Sequence, residues 1–314
     1  MNILKRIMVT LLALLPLATE TALANTEHGY SRIFIFGASF MDSGNHFAVT
    51  GETAHPPFEL MSFASYGVGG HRPTNGHTWV EVLAQEMGLT EWAKPAYRDP
   101  AFGNYAFAYG RAREVDEPIG KSLSTQVNDW IANGYCNGVP MNDTLFIVDS
   151  GYADLLDIMA APDEGAIMAI MGEMTASIGT NIGILYGCGA RNLLFAYLMP
   201  AEASPIASLI PTTSEPSPVS LSWIYNFLFL KPNVINILPG DMNVFTVDFF
   251  SDVTEVMTTP EEFGFTNVAD SCITPYVNKG AFCKKRNEYF WWDQLHPTKK
   301  AHALLAEFAL EKLQ

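Results

Sequence analysis

The residues with the clearest chemical potential are a carboxylate and an imidazole three positions apart, Asp293 and His296, in the run DQLHPT at residues 293–298. An imidazole oriented by a carboxylate can take the proton of a serine hydroxyl, which is how serine hydrolases activate their nucleophile. Ser39, far away in the chain, is a candidate for that serine. The alternative is structural, because aspartate is also favoured at helix starts, where it accepts hydrogen bonds from free backbone N–H groups.

The N-terminus has the pattern of a secretory signal peptide. Lys5 and Arg6 precede an apolar stretch at residues 7–18, and Ala-Leu-Ala follows at residues 22–24. A positive start, a short apolar run and a small-residue cleavage site predict that residues 1–24 are removed and that the mature chain begins at Asn25. We therefore expect a secreted or periplasmic protein.

The charge balance narrows the possible partners. The chain has 18 Lys and Arg against 33 Asp and Glu, a formal net charge of −15. This disfavours nucleic acid, which requires a basic surface, and it provides no overall attraction to anionic membranes. Any lipid contact would then rest on apolar surface. The apolar stretch 167–186 is interrupted by Glu173 and several Gly and Ser residues, so it is interpreted as a buried helix and no integral membrane anchor is expected.

The cysteines allow more than one interpretation. Four are present after the predicted signal peptide: Cys136, Cys188, Cys272 and Cys283. An oxidising compartment permits disulfides, and four cysteines have three possible pairings. Cys272 with Cys283 is favoured because it closes a short loop, whereas Cys136 with Cys188 would bridge distant segments. A zinc site is the alternative, although no C-x-x-C motif or nearby histidine supports it.

Strand-like and helix-like segments alternate along the chain. Short apolar runs predict strands at residues 33–36, 144–148, 193–198 and 244–249. Helical spacing predicts helices at residues 78–87, 123–132, 164–186 and 297–313. This alternation predicts an α/β fold with a mainly parallel sheet covered on both faces. In such folds sites form beyond the carboxyl ends of the strands, where Ser39 and Gly151 fall.

The segment at residues 200–218 is rich in Pro, Ser and Thr, with five prolines, and is predicted to be an irregular loop. It is either a solvated surface loop or a flap beside the site, since long loops in compact domains are often functional.

Several segments together resemble GDSL-type (SGNH) lipolytic hydrolases. FGASFMDSGN at residues 36–45 resembles the family's nucleophile block, FGDSLSDTGN. The NG and following WV at residues 75–80 are similar to its next conserved stretch. PEEFGFTN at residues 260–267 resembles a segment of its bacterial secreted branch, and FWWDQLHPT at residues 290–298 resembles its final block. The matches keep their order and run from about residue 33 to the end of the chain.

The resemblance implies a fold and an activity. The fold would be a three-layer α/β/α sandwich, with residues 25–314 forming a single domain. The activity would be hydrolysis of lipid acyl esters through an acyl-serine intermediate, as in a phospholipase A, lysophospholipase or lipase, or transfer of the acyl group to an alcohol. Ser39 would be the nucleophile at the start of the helix after the first strand, with its N–H facing the oxyanion. His296 would be the base, and Asp293 would orient it. The alternative for Ser39 is a helix N-cap.

Two departures from the family pattern affect the expected site: the first concerns local order before the serine, and the second concerns the oxyanion donors. Ala38 replaces the aspartate that normally precedes the serine. In the third block, GYAD at residues 151–154, Ala153 replaces the asparagine that donates to the oxyanion. Loss of one such donor typically lowers turnover about 10²–10³-fold.

Other groups are candidates for the oxyanion site. Gly110 matches the family's second-block glycine, although Arg111 replaces the glycine that usually follows. Asn104 and Tyr152 are candidates for the missing donor. These departures leave two alternatives: a degenerate, weakly active or non-catalytic lipid-binding relative, and a carbohydrate deacetylase that uses the same dyad.

The remaining polar and aromatic residues have simpler interpretations. His302 is expected to pack or cap on the last helix. The aromatic run at residues 223–229 is expected in the core, with an acyl-chain groove as the alternative. No metal or other cofactor is predicted, because the histidines in Gly- and Pro-containing loops lack metal-binding spacing: His46, His55, His71 and His77.

Overall fold

A computed structural model describes residues 29–51, 71–116, 120–210, 220–273 and 282–314. The predicted signal peptide, His55, residues 211–218 of the Pro-rich segment and most of the loop between Cys272 and Cys283 lie outside these residues. Within them the strands are β1 Arg32–Gly37, β2 Met141–Asp149, β3 Ala190–Tyr197, β4 Asn243–Asp248, β5 Asn267–Ser271 and β6 Tyr289–Trp291. The α-helices are α1 Asn45–Thr50, α2 Trp79–Glu86, α3 Leu123–Ala132, α4 Tyr152–Met159, α5 Glu164–Gly187, α6 Leu221–Ile224, α7 Lys231–Asn233, α8 Phe249–Thr258 and α9 Lys299–Glu311.

Strands β1 to β4 form one parallel sheet in chain order, which confirms the four predicted strands and the parallel pairing. Phe36 in β1 lies opposite Val148 in β2, which in turn lies opposite Phe195 in β3. Strands β5 and β6 form a separate two-stranded parallel sheet that the sequence did not predict. Sheet β5–β6 leads the chain directly to Asp293.

Helices cover both faces of the main sheet, as expected of a three-layer α/β/α sandwich. Helices α3 and α5 pack together against β1 and β3, and Trp130 of α3 contacts Phe34 and Phe36. These two phenylalanines alternate along β1 and therefore share one face of the sheet. The other layer contains α2, α8 and α9, and Trp79 of α2 lies edge-on to Phe249 of α8.

Polar caps fix where the predicted helices begin. The side chains of Ser122, Asp163 and Thr298 accept hydrogen bonds from backbone N–H groups at the starts of α3, α5 and α9. Such caps satisfy N–H groups that the helix itself leaves without acceptors. Each of the four predicted helices is confirmed, and α9 begins at Lys299, two residues later than expected.

Two disulfides join the cysteines, Cys136 with Cys188 and Cys272 with Cys283. The favoured pair is therefore confirmed and the uncertain pair also forms. All four sulfurs are used, so the zinc alternative is wrong. The first bond ties the segment after α3 to the end of α5, and the second lies beside β6.

Helix α5 buries one face, formed by Met171, Met174, Ile178 and Ile182, while its other face is largely exposed. It is therefore an amphipathic helix of the outer layer, and the expectation of a buried helix at residues 167–186 holds for one face only. Across the described ranges, none of the helices is both long and apolar enough to cross a membrane.

Close packing at the end of β1 yields a test of the fold. A Cβ at Gly37 would lie 1.9 Å from the Asp149 carbonyl oxygen and 2.3 Å from Met41 Cε. We expect Gly37→Ala to lower the free energy of unfolding by at least about 2 kcal/mol, because backbone cannot move aside cheaply. Urea denaturation measures this change.

The control is Gly183→Ala in α5, where a Cβ would meet nothing within 4 Å. It should raise stability by about 0.5–1 kcal/mol, since alanine is the better helix former. Equal stability of wild-type protein and Gly37→Ala would contradict the packing described at the end of β1.

Candidate active site

Ser39 lies in a tight turn directly after β1, with only 6% of its surface exposed. The turn is closed by the Met41 N–H, which donates to the Ala38 carbonyl at 3.0 Å. Helix α1 begins only at Asn45, and its N-cap is Gly44. The expectation that Ser39 opens a helix is therefore wrong, and so is the alternative that it serves as an N-cap.

The Asp42 carboxylate holds the end of this turn. It accepts hydrogen bonds from four backbone N–H groups: Gly44 at 2.7 Å, Asn45 at 2.5 Å, His46 at 3.0 Å and Ala108 at 2.7 Å. Burial raises the pKa of Asp42 to about 6, and the four N–H donors oppose that rise. Asp42 thus fastens the Ser39 turn to the start of α1 and to the loop around residue 108.

A second layer of amides supports the same turn. The Gln126 side chain of α3 pairs with the Gly37 backbone, accepting its N–H at 2.8 Å and donating to its carbonyl at 2.9 Å. Asn104 Nδ2 donates to the Met41 carbonyl at 2.8 Å, while Asn104 Oδ1 accepts the Ala106 N–H. Because both ends of the Asn104 amide are occupied, Asn104 is a structural residue and does not replace the missing oxyanion donor.

Tyr152, the other suggested donor, is also engaged. Its buried hydroxyl accepts the N–H of Met199 just beyond β3, and its ring packs 4.2 Å from the Phe40 ring. The hydroxyl is therefore directed toward β3, while the ring supports the residue that follows Ser39. Tyr152 therefore supports the Ser39 turn through its ring, while its hydroxyl holds the backbone just beyond β3.

The loop containing Gly110 differs from expectation. The Gly110 N–H donates to the Phe107 carbonyl at 2.9 Å, so a substrate oxygen would have to compete with this bond. The left-handed backbone conformation falls one residue earlier, at Tyr109, whose φ is 64°. Such a conformation favours glycine and costs other residues about 1–2 kcal/mol.

Arg111, where the family usually has glycine, forms a bidentate ion pair with Asp157 of α4 at 2.8 and 3.0 Å. Asp154 of α4 accepts the Ala112 N–H at 2.7 Å and pairs with Arg113 at 2.9 Å. Burial raises the pKa of Asp154 to about 7, against the effect of these partners. The loop is thus fixed to α4, next to Ala153 in the first turn of that helix.

The second half of the site is the Asp293–His296 pair, which is buried between β6 and α9. Asp293 Oδ2 lies 2.7 Å from His296 Nδ1, and Asp293 Oδ1 accepts the N–H groups of Leu295 and His296 at 2.8 and 2.6 Å. Helix α9 is capped by Thr298 instead. The interpretation of Asp293 as the cap of that helix is therefore wrong, and the carboxylate is positioned to orient the imidazole.

Phe40 joins the two halves. Its ring lies edge-on to His296 at 5.8 Å, so the residue after Ser39 packs directly against the imidazole. The described residues contain no hydrogen bond from the Ser39 hydroxyl to His296 and no acceptor for the Ser39 N–H. Catalytic hydrogen bonds often tighten only when substrate binds, and an N–H without a partner can donate to a substrate oxygen.

Other parts of the sequence pattern also meet here. His302 is buried and accepts the Trp79 N–H through Nδ1 at 3.2 Å, so it packs as expected. Burial lowers the pKa of His302 to about 3, which keeps its ring neutral.

The described part of the Pro-rich segment forms two 3₁₀ turns, Ala201–Ala203 and Pro205–Leu209. The Ile206 N–H donates to the Gln294 carbonyl at 2.8 Å. That bond brings the segment next to the run at residues 293–298.

The aromatic run at residues 223–229 divides between core and surface. Tyr225 is fully buried, in line with the expected core role, whereas Trp223 and Leu228 are 38% and 55% exposed.

A buried acid, Asp149, lies at the end of β2 and was not singled out from the sequence. Its carbonyl accepts the Ala38 N–H at 3.3 Å, which places it beside the Ser39 turn. Burial raises the pKa of Asp149 to about 8, and the nearby Trp79 indole opposes this only in part. The carboxyl is therefore protonated at neutral pH, as suits a group with an oxygen that lacks a hydrogen-bond partner.

Comparison with known proteins identifies the family that this chain is similar to. A family model described as GDSL-like Lipase/Acylhydrolase matches residues 33–309. The chain is similar to GDSL esterase/lipase 6 of Arabidopsis thaliana, at 23% identity over 95% of this chain and 91% of that protein. A second GDSL esterase/lipase of the same plant is 23% identical over 89% of this chain and 83% of its own length. A third is 24% identical over 90% of this chain and 91% of its own length.

The state of Asp149 predicts a pH-dependent effect of Asp149→Asn. The unfolded chain releases this proton near pH 3.8, whereas the folded chain keeps it up to about pH 8. Wild-type stability therefore falls as the pH rises through this window. Asparagine has no such proton, so Asp149→Asn should gain stability relative to wild type, by up to about 1.4 kcal/mol per pH unit.

Urea denaturation at several pH values between 4 and 8 measures this difference. The control is Asp143→Asn, because Ser31 and Arg32 lower the pKa of Asp143 and its contribution should be constant above pH 5 or so. A stability difference for Asp149→Asn that does not vary with pH would refute the proposed protonation state.

Proposed function

This chain belongs to the GDSL-like lipase/acylhydrolase family, and we propose that it is a secreted or periplasmic serine hydrolase of lipid acyl esters. The observation that carries the proposal is the buried contact of 2.7 Å between Asp293 and His296, with Phe40 packing the Ser39 turn against the imidazole. The two disulfides support an oxidising compartment.

The reaction follows from these groups. His296 Nε2 takes the Ser39 proton as the serine oxygen attacks the ester carbonyl, and Asp293 stabilises the charged imidazole through Nδ1. The carbon–oxygen bond of the ester then breaks, and His296 returns the proton to the departing alcohol. Water, deprotonated by the same imidazole, then attacks the acyl-serine; the acyl–oxygen bond breaks, the acid is released, and His296 returns the proton to the Ser39 oxygen. If an alcohol takes the place of water, the acyl group is transferred.

Stabilisation of the oxyanion rests on the Ser39 N–H. Ala153 has no side-chain donor, and the Gly110 N–H is engaged with the Phe107 carbonyl. This weaker set of donors favours a slow enzyme over a fast one. It also motivates the second candidate function, a lipid-binding protein without turnover. Retention of a complete Ser39, Asp293 and His296 set favours the enzyme.

A test of the nucleophile is Ser39→Ala. We expect hydrolysis of p-nitrophenyl esters and of phosphatidylcholine to fall by about 10⁶-fold or to the detection limit, because the substitution removes the hydroxyl that forms the acyl intermediate. Release of p-nitrophenol and of free fatty acid measures both reactions. Ser31→Ala is the matched control: Ser31 precedes β1 at the opposite end of the strand and bonds Asp143. Equal rates in Ser39→Ala and wild-type protein across short and long acyl chains would end the enzyme proposal.

The oxyanion argument predicts a gain of function. Ala153→Asn restores a side-chain donor in the first turn of α4, and kcat should rise by about 10²-fold with little change in KM. Steady-state kinetics with the same esters measure the effect, and Ala160→Asn at the end of α4 is the control. An unchanged kcat in Ala153→Asn would show that the hole is already complete or that Ala153 lies elsewhere relative to the substrate.

A further inference from the structure

A pocket of about 420 Å³ lies next to the run at residues 293–298 and is lined by more cations than carboxylates. Its charged lining comprises one carboxylate, Glu288, and four cations: Lys284, Lys285, Arg286 and Lys299. Such a local excess is notable in a chain with a net charge of −15. The expectation that this protein has no electrostatic attraction for anionic lipid therefore does not hold at this place.

Among the described residues, most of this positive charge has no ion-pair partner. Lys285 pairs with Glu288 at 2.8 Å. Within the described ranges, Lys284, Arg286 and Lys299 have no carboxylate at ion-pair distance. Unpaired like charges around one cavity raise its potential and attract anions.

Two polar groups that line the pocket are held in place by their neighbours. The Arg286 guanidinium carbon lies 5.2 Å from the centre of the Phe282 ring and 5.9 Å from that of Trp292. Stacking on aromatic rings restrains the guanidinium plane and leaves its N–H edge able to bind two oxygens at once. Asn75 Oδ1 accepts the Lys299 N–H at 2.7 Å, which restrains a second polar group of the lining.

We propose that this pocket binds a phosphate group, from either a lipid headgroup or free phosphate. A phosphate monoester carries nearly two negative charges and three strong acceptor oxygens, which suits several unpaired cations better than a single carboxylate would. The pocket lies next to both ends of the run at residues 293–298. Lys299 follows His296 by three residues, and Arg286 contacts Trp292, the residue before Asp293. The proposal concerns binding alone and does not depend on turnover.

The experiment uses the purified Ser39→Ala protein, so that no ester is cleaved during the measurement. Inorganic phosphate is titrated by calorimetry, and sedimentation is compared for phosphatidylcholine vesicles with and without phosphatidic acid. Adding Lys284→Gln and Arg286→Gln should weaken phosphate-dependent binding roughly 30-fold, since each basic residue near an anionic surface contributes about a factor of five. Adding Glu288→Gln should strengthen binding, because it removes the carboxylate from the lining.

The matched control adds Lys231→Gln and Lys312→Gln, which remove the same charge from exposed positions away from the pocket. Binding of inorganic phosphate alone supports the site with free phosphate as its ligand, and binding of phosphatidic acid vesicles identifies a lipid headgroup. Absence of both, or an equal loss in the control pair, overturns the proposal. Neither result would affect the ester hydrolysis test, which measures turnover by the wild-type protein against Ser39→Ala, whereas this experiment measures binding without turnover.

Discussion

The candidate site depends first on a single buried carboxylate, Asp42. Its oxygens collect backbone N–H groups from both sides, three from the start of α1 and one from Ala108. A buried N–H group without an acceptor costs about 1–3 kcal/mol. The start of α1 and the loop at Ala108 therefore keep a fixed position relative to the Asp42 carboxylate. The Ser39 turn ends at Asp42 and inherits this rigidity. The charge is costly to bury, and the raised pKa of Asp42 is the sign of that cost.

In both halves of the site, a buried carboxylate fixes the local backbone by accepting its N–H groups. Asp293 also accepts backbone N–H groups, from Leu295 and His296, while its second oxygen orients the imidazole. The Asp293 carboxylate therefore shapes the backbone turn that contains His296 and also fixes the orientation of the His296 ring. The halves come from opposite ends of the chain and meet through Phe40, which packs between Tyr152 and His296. The relative placement of Ser39, Asp293 and His296 thus rests on packing as much as on hydrogen bonds.

Local pattern was enough to predict much of the fold and little of the supporting network. The strands and the long helices follow from apolar runs and periodicity, and α3 matches its predicted span. Ser39 was misplaced onto a helix because the turn is set by contacts with Gln126 and Asp42, and spacing does not reveal such contacts. Asn104 and Tyr152 were suggested as donors for the same reason: their partners, Met41 and Met199, lie 63 and 47 residues away.

The pairing of the cysteines has a consequence for how the chain reaches its folded state. Cys136 joins Cys188 and Cys272 joins Cys283, so each bond links cysteines that are consecutive along the chain. A polypeptide that emerges N-terminus first into an oxidising compartment meets its cysteines in that order. Oxidation in order of appearance therefore yields the native bonds directly, without shuffling between wrong partners. In that order, the first bond would close the loop at residues 136–188, which contains β2 and α4, before β4 and His296 emerge.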